Sequence, residues 1–110
     1  MGAEKSDLLQ GTLDMLILQV AALGPVHGYA IAQRIGQISQ ALIAVPQGSL
    51  YPALRRLETG GCITSKWELT DRGREMRLYR LTAKGRKQFG VEQSHWHALA
   101  EAMARMLKPA

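Results

Sequence analysis

The sequence predicts a fold that is mainly α with a small β-hairpin, and three observations carry that prediction. Apolar residues recur at helical spacing in three short segments before residue 60 and in one long segment after residue 82. Between them, from Cys62 to Leu81, the period falls to two, the mark of paired strands. Gly24-Pro25 and Gly60-Gly61 punctuate the chain where one periodic run ends and another begins. With 110 residues, the chain has the size of one domain with one core. A composition of 46% hydrophobic and 21% charged residues with only 4 prolines excludes a disordered or low-complexity chain.

The first helix is expected from about Leu8 to Leu23, where Leu9, Leu13, Leu16, Ile17 and Val20 fall on one face, with residues 1–7 as a flexible N-terminus. Gly24-Pro25 stops it. A second helix begins near His27 and places Ile31, Ile35 and Ile38 on one side, opposite Gln33, Arg34 and Gln37. Ala41 to Val45 is short, apolar and β-capable, and is expected as one brief strand before Pro46. The third helix, Gln47 to Thr59, turns Leu50, Leu54 and Leu57 inward, within about 60° of one another at 100° per residue. Gly48, Pro52, Arg55 and Arg56 then point outward, with Ser49 and Tyr51 at the flanks. Pro52 removes a backbone donor and is expected in or near the first turn.

Past Gly60-Gly61, Ile63, Ser65, Trp67 and Leu69 alternate with Cys62, Thr64, Lys66 and Glu68, and a second run from Met76 to Leu81 puts Arg77, Tyr79 and Leu81 on one face. The tip between them, Thr70 to Glu75, is too polar to pack. Tyr79 and Trp67 are expected to pack between hairpin and helices, and Arg77 and Arg80 to lie on opposite faces of their strand. Gly28 and Gly48 are expected to permit close approach. From Thr82, a good N-cap, the helical period returns: Phe89, Trp96, Leu99, Met103 and Met106 form a 3-4 seam of the kind a helix lays against another helix. A domain of this size already has its core, so the simplest user of the extra stripe is a second copy of the chain.

The net charge of +5 is concentrated. Residues 51–90 hold ten cations, seven of them arginine, against four acids, a net of +6, while residues 1–50 carry −1 and residues 91–110 balance. Such a block suits phosphate contact, and equally describes a solvated face. Three short helices, the third basic on its outer side, followed by a hairpin with a basic tip, describe a winged helix-turn-helix, in which a helix enters the major groove and the hairpin reaches the neighbouring backbone or minor groove.

Four ordered segments take this further. Gly11-Thr12-Leu13-Asp14-Met15-Leu16-Ile17-Leu18, His27-Gly28-Tyr29-Ala30-Ile31, Gly48-Ser49-Leu50-Tyr51-Pro52-Ala53-Leu54-Arg55-Arg56-Leu57-Glu58 and Tyr79-Arg80-Leu81-Thr82-Ala83-Lys84-Gly85 resemble the PadR family of bacterial transcriptional regulators, and the similarity covers about residues 8–107. The resemblance implies a winged helix-turn-helix DNA-binding domain over residues 8–81 and a long C-terminal dimerisation helix over residues 82–110, as in the short members of the family. It implies a repressor that binds a two-fold-symmetric, palindromic operator in double-stranded DNA as a homodimer, with Ser49, Tyr51 and Arg55 on the recognition helix and the hairpin as the wing. The expected DNA contacts are Gln47, Ser49, Tyr51, Arg55, Arg56, Lys66, Arg72, Arg74 and Arg77, and the expected dimer interface is Phe89, Trp96, Leu99, Met103 and Met106. In some short members the dimer interface holds a planar aromatic small-molecule effector, and Trp96 is the residue carried over to such a role by its place on the helix.

Other readings stand beside these. Tyr51 serves equally as edge packing or as a phosphate or base contact. Winged helices also act as protein-protein interaction modules, and the basic face would suit an acidic partner. His95 and His97 with Cys62 lack the i, i+4 or C-x-x-C spacing of a metal site, so no metal and no cofactor are expected. No G-x-S-x-G or P-loop occurs, and the chain is not expected to be an enzyme. Met1 to Ser6 matches the short pattern for N-myristoylation, without a second anchor. Apolar runs such as Leu16 to Leu23 fall short of a membrane span. With one cysteine and no basic-then-apolar leader, a cytoplasmic location is expected.

Overall fold

The computed structural model describes residues 2–109, and the side chains of residues 11–109. The lipidation pattern at Met1 to Ser6 lies outside the residues whose side chains are described. Among the described residues, four helices and three strands follow in the order α1 (Gly2–Ala22), β1 (Val26–His27), α2 (Gly28–Ile38), α3 (Gln47–Thr59), β2 (Ile63–Leu69), β3 (Glu75–Leu81) and α4 (Ala83–Leu107). The strands form one antiparallel sheet in the order β1-β3-β2. No described helix is long and apolar enough to cross a membrane.

The core lies where α1, α2, α3 and the sheet meet. Ile17 and Leu18 of α1, Ile31 of α2, Leu50 and Leu54 of α3 and Ile63 of β2 are fully buried, and Ile35 and Tyr79 join them. At about 25 cal/mol per Å² of apolar surface removed from water, each of the large aliphatic chains contributes roughly 1.5–3 kcal/mol before the entropy of ordering is subtracted. Helix α1 touches α2, α3, α4 and β3 and is the post around which the others are arranged.

Helix α3 starts and stops where the sequence predicts. Pro46 caps it in an extended conformation, its carbonyl accepting from Ser49 and Leu50 N–H, and Gly60 closes it by donating to Arg56 O. Pro52 is its sixth residue, just past the first turn, so the carbonyl of exposed Gly48 receives no helical bond. Thr82 caps α4 as predicted, its Oγ accepting from Gly85 N–H at 2.9 Å.

Two predictions are corrected. The brief strand is not at Ala41 to Val45 but at Val26–His27, which pair with Tyr79 and Leu78 of β3. Residues 41–45 are a turn and a loop, entered through Gln40 and Ala41 with positive φ, and Ile43 and Val45 pack partly against the core while Leu42 is 88% exposed. Helix α1 starts at Gly2, six residues before the periodic region, because the first turns add no apolar stripe to mark them.

Candidate nucleic-acid interface

Helix α3 buries its leucines and leaves Gln47, Gly48, Ser49, Tyr51, Pro52, Arg55 and Arg56 exposed on the other side. Beside this face runs the hairpin, with Trp67 opposite Arg77 and Ser65 opposite Tyr79. Opposed residues share a face, so Ser65, Trp67, Arg77 and Tyr79 all look toward α3, whereas Lys66 and Arg80 lie on the reverse side. The separation of Arg77 from Arg80 is as the alternation predicts.

Between α3 and the hairpin lies a cleft of about 450 Å³ lined by Tyr29, Tyr51, Arg55, Trp67, Arg77 and Tyr79 among others. Tyr79 is buried at its floor, and burial pushes its hydroxyl pKa up. Trp67, expected to be packed, is 61% exposed at the side. The third strand pairs with β3 only as far as Leu78, and Trp67, opposite Arg77, lies one residue pair beyond it. Sequence reasoning also missed Tyr29, which stacks on His27 with ring centres 5.8 Å apart. Tyr51 does both things the sequence left open: 46% of it is exposed, while its ring edge stands 3.6 Å from where a Cβ on Gly28 would be. That same Cβ would lie 3.1 Å from Tyr79, so glycine at position 28 lets α2 start against both rings. Gly48 has no such neighbour within 4 Å, and intramolecular packing does not explain it.

The cations divide by what already holds them. Arg56 donates from Nη2 to Asp14 Oδ1 at 2.8 Å, tying α3 to α1. Partial burial raises the Asp14 pKa, Arg56 opposes that rise through its hydrogen bond and charge, and Glu92 of α4 adds to it. Arg77 donates from Nε to Ser65 Oγ at 2.9 Å. Among the described residues Arg55, Lys66, Arg72 and Arg74 have no ion-pair partner, and all are exposed. Arg72 and Arg74 sit in the turn between β2 and β3, which is closed by Thr70 N–H donating to Arg74 O at 2.8 Å and Gly73 N–H to Thr70 O at 2.9 Å. Arg55 thus lines the cleft on the α3 side, where Glu58, Glu75 and Arg77 also line it, while Arg72 and Arg74 lie outside it in the turn that ends the hairpin.

Helix α4 carries the remaining residues. Phe89 is partly buried against the core of its own chain. Trp96, Leu99, Met103 and Met106 are 46–81% exposed, on a part of α4 where every residue from Gln93 onward is exposed. His95 and His97 lie on this same part, and Cys62 is buried before β2.

Known proteins agree with this architecture. The family model described as "Transcriptional regulator PadR-like family" matches residues 17–91. A transcriptional regulator of Mycobacterium tuberculosis is 41% identical over 70 residues, covering 64% of this chain and 62% of the relative, and an uncharacterized protein of Lysinibacillus sphaericus is 26% identical over 88% of this chain and 89% of its own. Among solved structures, a transcriptional regulator from Clostridium thermocellum superposes with a TM-score of 0.83 at 26% identity, covering 93% of this chain and 99% of that one. A PadR-family transcriptional regulator from Eggerthella lenta gives 0.78 at 28% identity, covering 99% and 93%. With most of the chain matched in sequence and nearly all of it in fold, this protein belongs to the PadR-like family of transcriptional regulators and carries a DNA-binding winged helix.

Proposed function

We propose that the chain acts as a homodimeric repressor that holds a palindromic operator and releases it when a small molecule or other signal reaches the C-terminal helices. The observation that carries this reading is that Arg55 on α3 and Arg72 and Arg74 in the hairpin turn are exposed cations with no ion-pair partner among the described residues. In this reading α3 lies in the major groove, with Gln47, Ser49, Tyr51 and Arg55 toward base edges and backbone and Arg56 at the margin, its charge shared with Asp14. The wing reaches the adjacent backbone through Arg72 and Arg74, with Lys66 approaching from its reverse face. The stripe Trp96, Leu99, Met103 and Met106 supports pairing with a second copy, because four large apolar side chains stay in water on a single chain. A planar aromatic effector would lie against Trp96 at that junction, and quenching of its emission by planar compounds tests this, with Trp67→Phe removing the second emitter.

The deciding experiment measures affinity for duplexes selected from a random two-fold-symmetric pool. Binding should weaken linearly in log–log fashion with salt, with a slope of about 0.9 for each phosphate neutralised. Arg55→Ala and Arg72→Ala should each weaken it, and unchanged affinity in both would place the interface elsewhere. Absence of duplex binding even at low salt would favour a protein-interaction module instead.

A further inference from the structure

Beyond β1 the wing has only two strands, since β1 pairs with Tyr79 and Leu78 and reaches no further. A two-stranded ribbon is marginally stable and twists easily, so its tip would wander over a wide arc if nothing held its root. The first residue of β3 past the third strand is Arg77, and it sits inside a closed set of contacts. Its Nε donates to Ser65 Oγ at 2.9 Å, Ser65 Oγ donates to Glu58 Oε2 at 2.6 Å, and Arg77 Nη2 lies 3.8 Å from the same Glu58 oxygen. The guanidinium carbon stands 5.2 Å from the centre of the Trp67 ring. Glu58 belongs to α3, Ser65 and Trp67 to β2 and Arg77 to β3. On the other side of the ribbon His27 Nε2 and Glu68 Oε1 are 3.0 Å apart, a second tie from the β1 edge.

We propose that Arg77 is a positioning residue: with Glu58, Ser65 and Trp67 it clasps the root of the wing to α3 and fixes the distance between the base-reading helix and the phosphate-reading tip. This rests on the DNA-binding reading above, and it assigns Arg77 an inward role there rather than a phosphate contact of its own. A planar guanidinium can lie over an indole while donating edge-on to a hydroxyl and a carboxylate; an ammonium cannot do all three. The clasp also explains an acid, Glu58, at the side of a surface meant for a polyanion. Its charge costs attraction to DNA and gives a fixed wing in return.

Lysine at position 77 separates the two roles because it keeps the charge and loses the clasp. Arg77→Lys is expected to weaken duplex binding roughly tenfold and to lower the salt slope by about 1.8, the loss of the Arg72 and Arg74 contacts together at ~0.9 each. In an Arg72→Ala, Arg74→Ala background the same substitution should change nothing further, since the tip it positions is already silent. Glu58→Gln should also weaken binding, although removing an acid would strengthen a purely electrostatic association. In a Trp96→Phe background, the Trp67 emission should shift with either substitution, and circular dichroism and thermal unfolding confirm the fold. Wild-type affinity in Arg77→Lys, full additivity with the tip variants, or tighter binding by Glu58→Gln would each overturn the clasp. Failure of the wild-type chain to bind any duplex would instead overturn the DNA reading itself.

Discussion

Asp14 shows how much one side chain can join. It accepts from Arg56 on α3 while feeling the charge of Glu92 on α4, and burial wins over the arginine to raise its pKa above the ordinary 3.8. A carboxyl with a raised folded pKa binds its proton more tightly folded than unfolded, so stability falls as pH climbs from 3.8 through the raised value and levels off above it. Asp14→Asn removes that dependence. Urea unfolding of both proteins from about pH 3.5 to 6 should therefore show the wild type losing ground to the variant as pH rises, and parallel curves would refute the assignment. Gly85 is constrained by space: a Cβ there would overlap the carbonyl oxygen of Cys62 and come within 2.8 Å of Leu81 Cδ1. Alanine ordinarily gains about 1 kcal/mol over glycine inside a helix, but overpacking of 1–3 kcal/mol or more opposes it here. Gly85→Ala should thus lower the melting temperature by several degrees, measured by calorimetry, where an exposed helical glycine such as Gly90 would raise it.

The elements were legible in proportion to how local their causes are. Helix α3 is bounded by Pro46 and Gly60-Gly61 and striped by Leu50, Leu54 and Leu57, all within its own sequence, and its observed range matches the predicted one. The start of α4 was likewise announced by Thr82. Strand β1 could not be seen, because two residues carry no period and Val26 and His27 are extended only by pairing with β3. The apolar run at 41–45 looked like a strand, yet Ile43 and Val45 serve as a cover over the α1–α3 junction, beside an apolar cleft of about 300 Å³ lined by Leu13, Leu16 and Pro52. For the candidate site, the charge block and the α3 outer face were readable from spacing. The cleft was not, since alternation places Trp67 on the correct face of the hairpin but cannot say where the third strand of the sheet ends.

At the scale of the whole molecule, the long axis of 59 Å against 28 and 25 Å reflects α4, about 37 Å long at 1.5 Å per residue, projecting from a compact head. In the proposed dimer this projection sets how far apart two recognition helices stand, and half-sites on B-form DNA require about 34 Å. Sedimentation or light scattering should give twice the 12.1 kDa chain mass. Leu99→Lys and Met103→Lys, each at a position about half exposed on the single chain, should yield a folded monomer whose affinity for a two-fold-symmetric duplex drops at least a hundredfold while a half-site is still bound weakly. A dimer that survives both charges would mean that another surface pairs the chains.

The corner where α4 begins has one more consequence. Thr82 N–H donates to Cys62 O at 3.1 Å, and its hydroxyl donates to Gly61 O at 2.6 Å, so the chain leaves the helical body at residue 62 and returns to the same spot at residue 82. The hairpin is therefore a closed excursion of the chain between α3 and α4, hydrogen-bonded shut at its neck. Residues can be added to or removed from the turn at Thr70 to Arg74 without tilting α4, so in the proposed dimer the reach of the hairpin and the pairing of the chains can vary independently.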